Sequence, residues 1–160
     1  MTITIALSSD FIHNLDLSPA QSVIENLLSN GAIASSEQQL RFDIDYSQEP
    51  DDPRELSEIP EVRLWFIRLD ARYPWLPFLL DWKAGELARY AAMLVPHQFN
   101  PKEGIQYNPE ALEIFLMQKL FVLGDWMRLN LDIPSRSRLQ SMAKMLGYDL
   151  DDSLFDLFRT

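Results

Sequence analysis

From Tyr73 onward the spacing of apolar residues is helical, and that shift limits the fold more than any other feature. Before it, three stretches alternate, with one early helix among them. After it, apolar residues recur three and four apart, as a helix requires. Ile3, Ile5 and Leu7 predict an N-terminal strand with one buried face. Residues 39–46 predict a second strand. There Leu40, Phe42, Ile44 and Tyr46 point one way, and Arg41, Asp43 and Asp45 the other. Residues 61–70 predict a third strand, with Val62, Leu64, Phe66 and Arg68 alternating with Trp65, Ile67 and Leu69. Both of its faces are largely apolar, which predicts a central position.

The helical signals are carried by caps as well as by spacing. Ser18-Pro19 starts a helix whose stripe is Val23, Ile24, Leu27 and Leu28, and Asn30-Gly31 ends it. One or two helices are expected over 74–94, interrupted near Lys83-Ala84-Gly85 and stopped by Pro96. Asn108-Pro109-Glu110 starts a helix running to about Asn130, apolar on most sides and therefore the core helix. Ser135 is expected to cap a helix reaching Leu146 and closed by Gly147, and Asp151 or Asp152 to cap a short last helix. The expectation is an α+β domain spanning 1–160: a small N-terminal sheet of about three strands, packed against a helical layer formed mainly by the C-terminal half.

Between the second and third expected strands lies residues 49–60, with three prolines and a dense negative charge. This predicts an exposed loop. The whole chain carries 14 basic and 24 acidic residues, a net charge of −10. Nucleic acid and anionic membrane repel such a surface, whereas a basic protein partner suits it. At 160 residues the chain can bury about 70% of its unfolded surface, so it needs no covalent or metal staple. It has no cysteine, which excludes disulfides and thiolate ligands for zinc or iron–sulfur clusters. The N-terminus lacks a basic region and meets Asp10 early, unlike a signal peptide. No apolar run approaches the roughly 20 residues of a membrane helix. The expectation is a soluble protein.

Catalytic and metal motifs are weak. His13 and His97 stand outside any ligand-spaced pattern, and His97 is expected in a loop against Phe99. Asp43-Ile44-Asp45-Tyr46-Ser47 has the letters of an aspartate-based phosphoryl-transfer motif. That chemistry needs its first aspartate at the end of a buried parallel strand, whereas the alternation here puts Asp43 and Asp45 on a polar face. Turnover of a small molecule or phosphate ester through these carboxylates is the alternative to a binding role. Asp149, Asp151, Asp152 and Asp156 lack the glycine and glutamate of a calcium loop and fit helix capping. Arg136, Arg138 and Lys144 precede an acidic segment that would repel DNA. Gly85, Gly104, Gly124 and Gly147 are too scattered for a phosphate loop. No cofactor is expected.

The densest cluster of binding-type side chains lies at 72–83. Tryptophan, tyrosine and arginine dominate interface hot spots, and Arg72, Tyr73, Trp75, Asp81, Trp82 and Lys83 are the candidate partner-binding residues. Phe78, Leu79 and Leu80 are expected to be buried, with Arg72, Asp81, Trp82 and Lys83 at a rim. The run Tyr73-Pro74-Trp75-Leu76-Pro77-Phe78-Leu79-Leu80-Asp81-Trp82-Lys83-Ala84-Gly85-Glu86-Leu87-Ala88-Arg89-Tyr90 continues into Val95-Pro96-His97-Gln98-Phe99. Glu103-Gly104-Ile105-Gln106-Tyr107-Asn108-Pro109-Glu110-Ala111-Leu112-Glu113 follows, then Ser137-Arg138-Leu139 and Met145-Leu146-Gly147-Tyr148. Together these strings resemble the chlororespiratory reduction 6 family of cyanobacteria and chloroplasts. The likeness covers nearly the whole chain.

The resemblance implies a non-catalytic assembly factor. Its client would be the I subunit of the photosynthetic NAD(P)H dehydrogenase-like complex, a ferredoxin-like protein with two iron–sulfur clusters. The factor would hold this subunit transiently, as a chaperone does, and leave before the complex is finished. The implied location is the cytoplasm, or the chloroplast stroma in plant relatives. The family brings no catalytic residues. Lacking cysteine, this chain is no thiolate cluster scaffold, and apolar, aromatic and charged contact surface is what a holder needs.

Overall fold

A computed structural model describes residues 1–131 and 136–159. The architecture is mixed α and β, in two compact units, residues 1–107 and 108–160.

The first unit begins with strand β1 (Ile3–Ser8), helices α1 (Ser9–His13) and α2 (Ser18–Ser29), and strand β2 (Leu40–Asp45). The strands pair in parallel, with Ile5 opposite Phe42 and Leu7 opposite Ile44. Parallel strands need a crossover, and the two helices supply it. Asp16 and Leu17 start α2: the Ser18 N–H donates to Asp16 Oδ1 at 2.9 Å, so Ser18 is the first helical residue and not the cap. Gly31 takes φ +63, and the Ala32 N–H reaches back to the Leu27 carbonyl at 2.9 Å, the closing geometry expected of Asn30-Gly31.

The expected third strand is a helix. Residues 60–72 form α3 (Pro60–Arg72). Its buried residues, Val62, Trp65, Phe66 and Leu69, stand at i, i+3, i+4 and i+7, a helical stripe. Leu64 and Ile67 break the alternation by standing exposed. Phe66 meets Phe42 (5.1 Å), Trp65 (5.0 Å) and Tyr90 (6.3 Å), all edge to face, as aromatic quadrupoles prefer. The Trp65 indole N–H donates to the Asp16 carbonyl at 2.8 Å.

A missing third strand leaves the outer edge of β2 to be closed by other means. Residues 79–81 run alongside Leu40: its N–H donates to the Leu79 carbonyl at 2.7 Å and its carbonyl accepts the Asp81 N–H at 2.8 Å. Phe42 is met by side chains of helix α4 (Glu86–Leu94). Its N–H donates to Glu86 Oε2 at 3.2 Å, and its carbonyl accepts from Arg89 Nη1 at 3.0 Å. Arg89 and Glu86 are themselves paired at 3.3 Å. A carboxylate and a guanidinium thus do the work of a strand, which satisfies groups that burial would otherwise leave costly. Burial pushes the Glu86 carboxyl above its ordinary value, against the pull of the Phe42 N–H and Arg89. Strands β3 (His97–Asn100) and β4 (Gly104–Tyr107) form an antiparallel hairpin that periodicity did not predict.

The second unit holds α5 (Pro109–Leu131), α6 (Arg136–Met145) and a 3-10 helix, Asp152–Arg159, both of which pack on α5. Asn108 caps α5 through Oδ1 to the Ala111 N–H at 3.0 Å. Leu112, Phe115, Leu116, Leu120, Leu123 and Met127 are buried along one face, whereas Ile114, Phe121 and Leu129 stand exposed, so the expected core helix is buried on one side only. Lys119 is buried with them, its ammonium 5.5 Å from the Phe115 ring centroid. The cap expected at Ser135 lies outside the described residues. Asp151 accepts the Ser153 N–H at 2.8 Å, the capping role expected of that acidic cluster.

Candidate partner-binding surface

Helix α3 stops at Arg72 because the backbone leaves helical geometry at Tyr73 (φ −129, ψ 69). The residues around that stop form one hydrogen-bonded cluster. Arg72 Nε donates to the Tyr73 hydroxyl at 3.1 Å, and its Nη2 to Glu25 Oε1 of α2 at 3.4 Å. The Tyr73 hydroxyl donates to the same Glu25 oxygen at 3.2 Å. The guanidinium carbon stands 5.6 Å from the Tyr73 ring centroid, and Trp75 meets that ring edge-on at 5.7 Å. Tyr73 is buried, so its hydroxyl is pushed up by desolvation while Arg72 pulls it down. Arg72 is half-exposed and Trp75 partly so. A buried tyrosine thus holds an arginine and a tryptophan in place at the surface. Side chains fixed before contact lose less entropy on binding, so the cluster can serve as a preorganised contact.

The other end of the 72–83 segment turns inward. Leu76, Pro77, Phe78, Leu79 and Leu80 are buried, the first three as a 3-10 turn. Trp82, expected at a rim, is only 8% exposed, and its indole N–H donates to the Pro77 carbonyl at 2.8 Å. Asp81 organises the turn before α4 by accepting the Ala84 N–H at 3.2 Å, and Lys83 is exposed. The structure therefore brings Arg72, Tyr73 and Trp75 together and separates them from Asp81, Trp82 and Lys83 by a buried apolar run.

The carboxylates Asp43 and Asp45 stand on the solvent-facing side of β2, opposite Ala6 and Ser8 of β1. Asp43 lies mid-strand and exposed, not at the enclosed end of a strand where a nucleophilic aspartate works. His13 tilts against Tyr46 at 5.4 Å. His97 opens β3 and packs on Tyr107, not Phe99; its Nδ1 lies 2.9 Å from the Val95 carbonyl and its Nε2 3.0 Å from Ser57 Oγ. Among the described residues no group of three or more His, Asp or Glu is placed to hold a metal ion. A small cleft of about 220 Å³ is lined by Leu56, Ala92, Met93, Phe99 and Ile105, together with Glu55 and Arg89. The acidic 49–60 segment, expected to be an exposed loop, ends in a 3-10 turn at Leu56–Glu58 with Ser57 and Ile59 buried; Arg54 pairs with Asp52 at 2.8 Å, and the Glu55 N–H donates to Glu58 at 2.7 Å. The Arg54 bonds hold the Asp52 carboxyl at about 2.

Sequence reasoning missed Glu25 and the Glu86–Arg89 pair. The latter had a legible signal, an acid and a base three apart just after a glycine. Glu25 had none pointing to this cluster: its local partner is Gln21, one turn earlier, while Arg72 and Tyr73 lie 47 and 48 residues away.

One protein-family model, described as chlororespiratory reduction 6, matches residues 7–157. No solved structure matches the chain.

Proposed function

Because this chain belongs to the chlororespiratory reduction 6 family, whose role is in complex assembly, we propose that it is a non-catalytic factor for one client. The client is the iron–sulfur I subunit of the photosynthetic NAD(P)H dehydrogenase-like complex. The chain binds it transiently, before it joins the complex, in the cytoplasm of a cyanobacterial-type cell or the stroma in plant relatives.

The observation that carries this reading is the length of the family match, 7–157, which takes in the whole Arg72–Tyr73–Trp75 cluster. That cluster supplies aromatic and charged contact side chains held in advance, which suits transient recognition. The net charge of −10 favours a partner with basic surface. Among the described residues no helix is long and apolar enough to cross a membrane.

The test is a tagged pull-down with mass spectrometry. Enrichment of the I subunit without membrane-arm subunits supports the proposal. Recovery of the whole complex makes the chain a stable subunit instead. Absence of the I subunit, even after crosslinking, removes the reading.

A further inference from the structure

The two strands of the parallel pair differ in how their outer edges are finished. In a parallel ladder, alternate residues turn both backbone groups toward one neighbour. The Ile3 N–H donates to the Gln39 carbonyl, so Ile3, Ile5 and Leu7 face β2. Thr4, Ala6 and Ser8 therefore turn their backbone groups outward. On β2 the outward residues Leu40 and Phe42 are answered by Leu79, Asp81, Glu86 and Arg89. On β1 nothing among the described residues answers Thr4 or Ala6, and both are exposed.

We propose that the outer edge of β1 is a docking site for an extended, basic segment of a partner protein, which adds to the sheet as a third strand. Bare N–H and C=O groups repeating every second residue, about 6.6 Å apart, are matched by another extended backbone. The charge beside the edge selects the segment. Asp43 and Asp45 share the solvent-facing side with Ala6 and Ser8, Arg41 stands on that side opposite Thr4, and among the described residues no ion pair joins a cation to either carboxylate, so the acidic charge lies beside Ala6 and Ser8. Ala6 is small, so a lysine or arginine on the added strand can reach over it to Asp43. This proposal rests on the binding role proposed above and names how part of the partner is held.

Amide hydrogen exchange of the whole chain tests it, with a synthetic strand of about ten alternating valines and lysines as the probe. In the free protein, Thr4 and Ala6 exchange fast while Ile5 and Leu7 are protected. Added peptide slows Thr4 and Ala6 by about tenfold or more. Ala6→Pro abolishes that slowing, because it removes an outward N–H while leaving the ladder to β2 intact. Unchanged thermal unfolding certifies its fold, and the double variant Asp43→Asn/Asp45→Asn, which alters no backbone group, weakens the peptide effect as a second check. No slowing at Thr4 and Ala6 in the wild type, or equal slowing at Thr4 in Ala6→Pro, overturns the proposal. Slowing that grows with protein concentration in the absence of peptide also overturns it, and assigns the edge to a second copy. The functional reading fails separately: it falls when the wild-type chain does not retain the I subunit, whatever the peptide does at β1.

Discussion

Arg72 to Trp75 and Pro77 to Trp82 are neighbours in sequence, alike in composition and opposite in environment. Both stretches carry large rings and prolines. In the first, Arg72 and Trp75 stand at the surface around a buried Tyr73. In the second, every residue but Asp81 is buried, and the backbone of 79–81 closes the edge of β2. Arg72 and Trp75 of the first are placed to be altered with little effect on the fold, whereas Tyr73 and the second stretch are part of it. Richness in tryptophan and tyrosine is shared by cores and interfaces, so composition cannot separate the two roles.

The comparison breaks most easily at Trp82. Trp82→Ala should destabilise the first unit by about 3–5 kcal/mol, the cost of emptying a buried aromatic site. Trp82→Phe should cost about 1 kcal/mol through the lost bond to the Pro77 carbonyl. Urea unfolding followed by circular dichroism measures both. A Trp82→Ala protein of near wild-type stability would place that ring at the surface after all.

Next in size is Glu86→Ala, at about 3 kcal/mol, because it strands the buried Phe42 N–H and unpairs Arg89. The pH dependence has a definite sign. A carboxyl raised in the folded state favours folding in its protonated form, so this contribution is present at low pH and lost as pH rises through the folded value. Glu86→Gln should remove that component from the stability–pH curve, measured by urea titration at several pH values.

Trp75→Ala should move stability by less than about 1 kcal/mol while weakening retention of the I subunit by about tenfold or more. Pull-down yield against urea midpoint separates the two effects. Equal retention would remove Trp75 from the contact surface. The smallest effect belongs to the acidic loop. Asp52 is lowered to about 2 by Arg54. Its stabilising contribution is present above the ordinary carboxylate value and lost as pH falls towards 2. Wild type and Asp52→Asn should differ slightly at neutral pH and converge in acid, as thermal unfolding would show.

Much of the fold was legible because its signals are local. Gly31, Asn108-Pro109 and Gly147 mark helix ends by backbone chemistry that needs no distant partner. Strands β1 and β2 were legible because each buries one face and wets the other. Residues 61–70 were misleading because they are apolar at both periods. Leu64 and Ile67 complete a strand-like alternation although both end exposed. Pro60 followed by Glu61 was the signal for a helix start, and Val62, Trp65, Phe66 and Leu69 carry the helical spacing. Of the candidate site, the residue types were legible and the arrangement was not, since Glu25 enters from another helix.

What the sequence determined by itself is the family, the absence of thiol chemistry, the acidic surface and the capped helices. Each depends on residue identity or on neighbours a few positions away. What only the tertiary structure decided is which rings face water, and how β2 acquires a neighbour without a third strand. Those outcomes depend on groups 39 to 47 residues apart meeting in space, Leu40 with Leu79 and Phe42 with Glu86 and Arg89. A buried N–H needs an acceptor, but nothing in its local sequence says whether a strand or a glutamate will provide it.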